Sequence, residues 1–360
     1  DHGCDGFSYP EFGNPYITPE YADYCRRLGI SEASFDLEHV FLEPVSPDRP
    51  TPGPGYRCAA PHFHPHVTGV METESEGHES AFLAHLACNR LEELAEENND
   101  RPFFVRVDFY GPHAPYLVSQ EFLDLYSADE ILEYGSFHDE LRTKPAVYQK
   151  EGNSRFGEGL RITQPSVMSW SEWQRILRYV YAHVTQVDAA GGKVLDALER
   201  LGLADDTLVI WTTDHGDPIA AHGGHFGKES FLSEESTRIP LAMRWPGHIS
   251  SDQHTDALVS QVDVPVTLLE AAGTSFTGPV DGRSLFGLID GSGTVRRPHD
   301  WRDAVVVETH GHHWEKVVGR ALITERYHYA AYTYLEQPDF VRDGDWTEAM
   351  EELYDLERDP

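Results

Sequence analysis

The residues best suited to chemistry follow a short run of apolar and β-branched residues, 208–213. Asp214 and His215 come directly after this run, and Lys228 lies further along on a loop flanked by glycine. A carboxylate beside an imidazole offers an oxygen and a nitrogen to a divalent cation, and an ammonium group is a mobile point charge that suits a tetrahedral oxyanion. These residues therefore predict a site for a metal ion and an anionic substrate, although a surface turn with ordinary charges fits equally well.

A further candidate is His113, which stands between two prolines after the predicted strand at residues 103–109. Proline fixes its own backbone and restricts the residue before it, so this loop is expected to be stiff. A stiff loop at the carboxyl end of a strand can present an imidazole in a defined place. On position alone, an ordinary turn histidine explains the pattern equally well.

Other histidines form two local groups. His62, His64 and His66 alternate along an extended segment and could bind a metal from one face, but the prolines beside them favour an irregular loop that at most lines a substrate pocket. In the second group, His310 and two histidines close behind it follow a predicted strand. This second group is a candidate for the substrate pocket, and solvated loop histidines are equally consistent with it.

The element that must position the Asp–His pair is a long helix predicted at residues 171–201, with Ser171 as its N-cap and an apolar stripe at helical spacing. This helix leads into the apolar run 208–213, which predicts a buried strand, and a second apolar run, 240–245, follows. Strands flanked by helices are typical of a parallel α/β sheet, where ligands bind beyond the carboxyl ends of the strands.

The rest of the chain contains further periodic segments. Helices are predicted at residues 19–28, 78–98, 121–126 and 264–272, the last capped by Asp263. Antiparallel strands are predicted at residues 303–309, 320–324 and 326–333. Because a linker rich in glycine, serine, arginine and proline occupies residues 291–299, the sequence predicts a core domain over residues 1–295 and a smaller α+β subdomain over 296–360.

Composition excludes several kinds of partner. The formal net charge is −33, with 61 acidic against 28 basic residues, whereas a nucleic-acid partner requires a basic surface. The sequence contains no apolar run long enough to span a membrane, so no membrane partner is expected. The four cysteines form no metal-binding or disulfide pattern, which favours reduced thiols and a cytoplasmic location.

The order of motifs from residue 203 onward resembles the C-terminal signature of the sulfatase family, within the alkaline phosphatase superfamily. The matching motifs are Thr213-Asp214-His215-Gly216, His222-Gly223, Lys228, Ser233-Glu234-Glu235, Arg238-Ile239-Pro240-Leu241 and Pro246-Gly247. The Pro-His-Ala-Pro segment around His113 and the end of the chain, from Glu352 onward, also resemble family motifs. The resemblance covers the sequence from about residue 78 to the end.

This resemblance implies a fold, a reaction and a set of site residues. The fold is α/β, with an alkaline-phosphatase-like, mostly parallel central sheet flanked by helices and a small C-terminal antiparallel subdomain. Asp214 and His215 become metal ligands, for Ca²⁺ in the first place and Mg²⁺ or Mn²⁺ otherwise. Lys228 and His113 become catalytic and substrate-binding residues, with His222 and His310 as further substrate-binding candidates. The implied substrate is a small-molecule or carbohydrate sulfate ester, and the oligomeric state is not determined.

Three motifs of the family have no counterpart in this sequence. They are the Cys/Ser-x-Pro/Ala-x-Arg motif that yields the formylglycine nucleophile, an N-terminal Asp-Asp metal pair, and a Gly-Lys-x-His-x-Gly segment. The retention of Asp214, His215, Lys228 and His113 favours a fragment of a longer product over a degenerate paralogue, and the chain alone is expected to be inactive. The leading prediction is a sulfuric ester hydrolase. The alternatives are a phosphonate monoester or phosphodiester hydrolase, and a non-catalytic binding module.

Overall fold

The computed structural model describes residues 14–41, 51–58, 66–97, 101–139, 141–142, 144–145, 155–156, 160–161, 168–228, 232–309, 317–334 and 349–358. They belong to two compact units. The first comprises Asp1–Glu133 and Met168–Leu203, and the second comprises Tyr134–Val167 and Ala204–Pro360. The predicted boundary between residues 295 and 296 falls inside the second unit and stays a prediction. In the described part of the chain, no helix has both the length and the apolar character that crossing a membrane requires.

The first unit contains a four-stranded mixed sheet with the strand order β2-β1-β3-β4. Its strands are β1 (Phe35–Val40), β2 (Gly53–Tyr56), β3 (Val67–Met71) and β4 (Tyr116–Val118). β1 runs antiparallel to β2 and β3, whereas β3 and β4 are parallel. The parallel pair matters for the site because β4 begins directly after the Pro-His-Ala-Pro segment.

Four helices belong to this unit: α1 (Pro19–Leu28), α2 (Glu79–Glu97), α3 (Gln120–Leu123) and α4 (Trp170–Arg200). The bounds predicted for α1 are confirmed, those for α2 differ by one residue at each end, and α3 is shorter than predicted. Tyr21 of α1 and Phe82 of α2 are buried with ring centroids 5.5 Å apart, at the centre of a core that includes Phe35 and Leu117.

The predicted N-cap of α4, Ser171, is wrong. Ser169 caps the helix, because its hydroxyl accepts from the N–H of Glu172 at 3.4 Å while the Glu172 carboxylate accepts from the N–H of Ser169 at 2.7 Å. This reciprocal capping box satisfies two amides that would otherwise lack intrahelical partners. The predicted apolar stripe is confirmed as core, with Trp173, Ile176 and Leu177 each about 1% exposed.

The strand predicted at residues 103–109 is also wrong. Its side chains alternate between half-buried and exposed, as in an extended chain, but these residues form no ladder with any other described residue. Alternation of apolar and polar residues in a sequence indicates which face of an extended segment is buried. Strand formation depends in addition on a hydrogen-bonding neighbour, which the local sequence does not specify.

The second unit holds the Asp–His segment between two short strands. β7 (Val209–Thr212) pairs antiparallel with β8 (Leu241–Arg244), after a two-stranded hairpin of β5 (Arg155–Phe156) and β6 (Leu160–Arg161). The short helices α5 (Ala221–Gly224) and α6 (Glu234–Thr237) lie between β7 and β8 in sequence. The prediction that β7 is buried is wrong, since Trp211 is 39% exposed in this two-stranded ladder.

The remainder of the second unit follows the predictions more closely. α7 spans Asp263–Ala271 and is followed by the strands β9 (Ala304–Thr309), β10 (Val317–Thr324), β11 (Tyr327–Tyr334) and β12 (Met350–Asp355). These strands form one antiparallel sheet in the order β12-β11-β10-β9, which confirms the α/β class with a C-terminal antiparallel part.

Asp263 does not cap α7 as predicted. It is the first residue of the helix and is fully buried, and its carboxylate accepts from the N–H groups of Ser260 and Arg283. The guanidinium of Arg302 pairs with both carboxylate oxygens at 2.7 and 2.6 Å. The buried charge is thus compensated by a bidentate partner.

Candidate active site

The Asp–His turn begins where β7 ends. The hydroxyl of Thr212 donates to the carbonyl of Pro240 at 2.9 Å, which fixes the end of β7 against the residue before β8. Asp214 then projects a carboxylate that is 80% exposed, and one of its oxygens accepts from the N–H of His215 at 3.0 Å. The turn therefore presents an accessible anionic oxygen from a backbone that is held on both sides.

His215 is oriented toward the same point. Its Nδ1 lies 2.8 Å from the carbonyl of Gly216, and because a carbonyl only accepts, Nδ1 carries the proton. Nε2 lies 3.2 Å from Oδ2 of Asp214. An imidazole nitrogen and a carboxylate oxygen at this separation can share a proton or bind one metal ion together, so the pair is a candidate for two ligands of one metal ion.

A close backbone contact fixes this turn. A Cβ atom at Gly216 would lie 1.8 Å from the carbonyl oxygen of Glu235, so only glycine fits there. The N–H of Gly216 donates to the carbonyl of Ser236 at 2.9 Å. The Asp–His turn is thus held against α6 by contacts with its backbone carbonyl groups.

α6 is held in turn by two histidines. His222 Nε2 lies 3.0 Å from the Glu235 carboxylate, and His328 of β11, which is 1% exposed, places Nδ1 3.0 Å from the Glu234 carboxylate. Burial alone would raise the pKa of Glu235, but the hydrogen bond and charge of His222 outweigh it and hold that pKa at about 2. The imidazole of His222 therefore meets α6, and its predicted contact with substrate stays a prediction.

Two residues that the sequence did not single out support the site. Gln261 donates through Nε2 to the carbonyls of Thr213 and Asp214 at 2.7 and 2.8 Å. Asp217 accepts from the N–H of Gly227 at 3.0 Å, and burial raises its pKa to about 6 although Lys228 and His215 lower it. Asp217 follows the Asp-His-Gly motif directly, so its position was a usable signal, whereas Gln261 has no local signature.

Asp217 also explains where Lys228 lies. Gly227 immediately precedes Lys228, so its bond to Asp217 brings the lysine segment to the turn that carries Asp214 and His215. The second unit thereby gathers three of the predicted site residues. No group of three or more metal-binding side chains occurs among the described residues, so the pair of Asp214 and His215 is an incomplete ligand set.

His113 belongs to the first unit and is exposed. Its Nδ1 donates to the carbonyl of Ala114 at 2.6 Å, its N–H donates to the carbonyl of Tyr110 at 3.2 Å, and its ring lies 4.9 Å from that of Tyr110. These contacts orient the imidazole, and the stiffness expected of the loop stays a prediction. His310, like His62 and His64, lies outside the described residues.

His66, the third histidine of the alternating group, is described. It is 5% exposed, and its ring centroid lies 5.8 Å from that of Phe41. This histidine therefore packs in the interior beside an aromatic ring.

Comparisons with known proteins identify relatives of this chain. The chain is 29% identical over 310 residues to a choline-sulfatase of Rhizobium meliloti, an alignment that covers 82% of this chain and 51% of that protein. It is 32% identical over 248 residues to an N-acetylglucosamine-6-O-sulfatase of Bacteroides thetaiotaomicron, covering 66% and 41% respectively. The chain thus spans about half the length of these relatives.

Similarity of fold extends over a larger share of the chain. The solved structure of a phosphonate monoester hydrolase from Silicibacter pomeroyi superimposes with a TM-score of 0.68 at 18% identity, covering 96% of this chain and 64% of that one. A protein solved with its substrate D-glucosamine-2-N,6-O-disulfate gives a TM-score of 0.60 at 20% identity, covering 81% and 65%. At these identities the likeness concerns the fold.

Two family models match the sequence itself. The model of the N-sulphoglucosamine sulphohydrolase C-terminal region matches residues 221–360. The sulfatase model matches residues 46–274, a range that includes His113, Asp214, His215 and Lys228. Since this match covers more than half of the chain, the chain belongs to the sulfatase family.

Proposed function

We propose that this chain forms part of a sulfuric ester hydrolase that cleaves a sulfate monoester of a small molecule or carbohydrate. The observation that carries the proposal is the convergence of Asp214 Oδ2 and His215 Nε2, 3.2 Å apart, on a fixed turn of a sulfatase-family chain. The formylglycine nucleophile of the proposed reaction is supplied by a segment outside this chain.

The donor set fits a hard divalent cation that also accepts nitrogen. Ca²⁺ is the first candidate, with Mg²⁺ and Mn²⁺ as alternatives. When bound, the cation polarises a sulfate oxygen and stabilises the oxyanion of the nucleophile. Because Asp214 and His215 supply two ligands and Ca²⁺ takes six to eight, the chain by itself is expected to bind the ion weakly.

The other residues act on charge. Lys228, which follows the Gly227 amide that Asp217 holds, is proposed to neutralise negative charge on the sulfuryl group with its ammonium group. His113 is proposed to contact the sulfate and to neutralise charge on the leaving oxygen, with its ring orientation set by the carbonyl of Ala114. Both contributions increase in the transition state, where charge accumulates on the oxygens.

The names of the relatives support the substrate class. One is a choline-sulfatase and another an N-acetylglucosamine-6-O-sulfatase, so both a small alcohol and a sugar are precedents for the esterified group. A phosphonate monoester or phosphodiester hydrolase is the second candidate, since a phosphonate monoester hydrolase shares the fold over 96% of this chain and the Asp–His pair suits Mn²⁺ equally. A non-catalytic binding module is the third.

The decisive experiment assays the complete product of the gene with 4-nitrophenyl sulfate and with a 4-nitrophenyl phosphonate monoester. Turnover that is abolished by EDTA and restored by Ca²⁺ is expected with the sulfate. Asp214→Asn is expected to lower kcat/KM by about 100-fold or more, because it removes a charged metal ligand. Asp252→Asn is the matched control, since Asp252 is exposed, lies outside the site and has a φ of 55°, which asparagine tolerates.

The outcomes separate the three candidates. Preferential turnover of the phosphonate ester, restored by Mn²⁺, would establish the second candidate. The absence of turnover on both esters, with unchanged folding and no effect of metal ions, would establish the binding module. If Asp214→Asn behaved like Asp252→Asn in an active enzyme, the proposed metal pair would be wrong.

A further inference from the structure

The first unit contains a buried polar pair that the proposed chemistry does not use. Glu79 is the first residue of α2 and is 6% exposed, and His183 lies on α4 and is 2% exposed. The Oε1 atom of Glu79 lies 4.0 Å from Nε2 of His183. Burying a carboxyl and an imidazole together costs free energy, because both groups lose hydration.

His183 contrasts with its neighbour His78, whose ring packs edge-on against it with centroids 5.6 Å apart. His78 is fully satisfied, since Nε2 donates to the carbonyl of Leu117 at 2.8 Å and Nδ1 meets the hydroxyl of Ser80 at 2.9 Å. Neither ring nitrogen of His183 has a hydrogen-bond partner among the described residues. A buried nitrogen without a partner carries a full desolvation penalty, so His183 requires a donor that Glu79 is placed to provide.

Both residues lie against the start of the turn that carries His113. The backbone N–H of Gly111 lies near the Glu79 carboxyl and lowers its pKa. A Cβ atom at Gly111 would lie 2.5 Å from Nε2 of His183, so the imidazole packs directly on the backbone of that glycine. His113 follows two residues later, and its own N–H is bonded to Tyr110, the residue before Gly111.

The charge states agree with a neutral pair. Burial raises the pKa of Glu79 to about 8, and the Gly111 N–H offsets only part of that rise. Burial, followed by the nearby His78 and His113, lowers the pKa of His183 well below its ordinary value. At neutral pH the carboxyl therefore retains a proton that it can donate, and the imidazole retains a lone pair that can accept it.

We propose that Glu79 and His183 are positioning residues for His113. One oxygen of the protonated Glu79 carboxyl accepts the Gly111 N–H bond, and the other donates its proton to His183 Nε2 after a small approach of the two side chains. The pair thereby fixes the backbone at Gly111 and, through it, the direction of the His113 imidazole. The inference rests on the proposed function in so far as His113 contacts the sulfate.

The test compares substitutions that keep or remove these bonds. Glu79→Gln retains a carbonyl acceptor for Gly111 and an N–H donor for His183, so kcat/KM of the complete gene product is expected to stay within about 3-fold. Glu79→Leu removes both, and His183→Phe keeps a ring but no acceptor. Each of these two is expected to lower kcat/KM by about 10-fold or more, the usual effect of losing a supporting residue behind an active-site group.

A double-mutant cycle separates positioning from general stability. In a His113→Ala background, His183→Phe is expected to have little further effect on kcat/KM, because the group it positions is already gone. An equal effect in both backgrounds would overturn the proposal. If Glu79→Leu does not fold, kcat/KM of Glu79→Gln is compared with that of His183→Phe. This comparison alone then tests whether the pair positions His113.

A second readout does not depend on activity. NMR of ¹³C-labelled histidine is expected to show a shifted and broadened His113 signal in His183→Phe and a nearly unchanged one in Glu79→Gln. Amide exchange over residues 110–116 is expected to increase by about 10-fold or more in Glu79→Leu. If these changes occur without sulfate hydrolysis, the proposed function fails and the positioning pair stands. If hydrolysis is present and the His113 signal is unchanged, the positioning pair fails.

Discussion

Replacing Glu79 by glutamine should change how the stability of the protein depends on pH. The ordinary pKa of a glutamate is 4.5, and burial raises that of Glu79 to about 8 in the folded chain. Between these values the folded chain keeps a proton that the unfolded chain has lost. The folded state therefore binds more protons, and the free energy of unfolding falls as the pH rises from 4.5 to 8. Above pH 8 and below pH 4.5, Glu79 has the same charge in both states, so it does not change the free energy of unfolding with pH.

The magnitude follows from the size of the pKa change. At about 1.4 kcal/mol per pH unit, the rise from 4.5 to about 8 corresponds to about 5 kcal/mol, a large part of the 5–15 kcal/mol that typically stabilises a domain. Glutamine does not ionise and keeps the same shape. The difference in free energy of unfolding, variant minus wild type, should therefore increase by about 3 kcal/mol between pH 5.5 and 7.5.

The assay is urea unfolding of both proteins at half-unit steps from pH 5 to 9. The histidines act in the opposite direction in both proteins, because burial lowers the pKa of His78 from 6.5 to about 4 and its stabilising contribution is lost as the pH falls through that range. Wild-type stability should thus be greatest near pH 6.5. In Glu79→Gln the decline above that pH should disappear, and the rise of stability below it should become steeper. Parallel pH curves for the two proteins would refute the argument from burial.

Two further substitutions test contacts in the second unit. Gly216→Ala should destabilise that unit by about 3 kcal/mol or more, because the new methyl group would lie 1.8 Å from the Glu235 carbonyl oxygen and the backbone would have to move. Urea unfolding measures this loss of stability. Arg302→Met should destabilise the second unit by about 3–5 kcal/mol, because it leaves the fully buried Asp263 carboxylate without its cationic partner. The decrease in Tm measures this effect.

Each of these has a control of the same chemical type. Gly192→Ala, in the middle of α4 with nothing within 4 Å of the new methyl group, should stabilise by about 0.5–1 kcal/mol. Arg296→Met breaks a pair with Asp290 in which the arginine side chain is 74% exposed, and should cost less than about 1 kcal/mol. Equal effects of a substitution and its control would contradict the assignment of the contact.

The helices could be predicted from sequence because their signal is local. α1, α2 and α4 each combine a recognisable start with apolar residues at helical spacing. The errors at α4 were an end placed one residue too late and the choice between two nearby serines. Both begin a Ser-x-x-Glu/Gln pattern, and the structure selects Ser169, whose partner Glu172 brings a charge to the helix N-terminus.

The strands and the surroundings of the site depended on partners that are distant in sequence. β1 alternates apolar and polar residues, but its register with β3 pairs Phe35 with Met71, which no local pattern specifies. Similarly, Asp214 and His215 stand out in the sequence by their types and order, whereas the hydrogen bonds that Gln261 donates to their turn come from a separate segment of the chain. Local helical patterns were predictable from the sequence, and long-range pairing was not.

The short helix α6 connects the C-terminal sheet to the candidate metal ligands within the second unit. The carboxylate of Glu234 contacts the imidazole of His328 in β11. The adjacent Glu235 and Ser236 contact Gly216 through their backbone carbonyls. A substitution in β11 can therefore shift Asp214 and His215 through α6, although β11 contacts neither residue directly. Substitutions in that sheet should be screened for altered ion affinity as well as for folding.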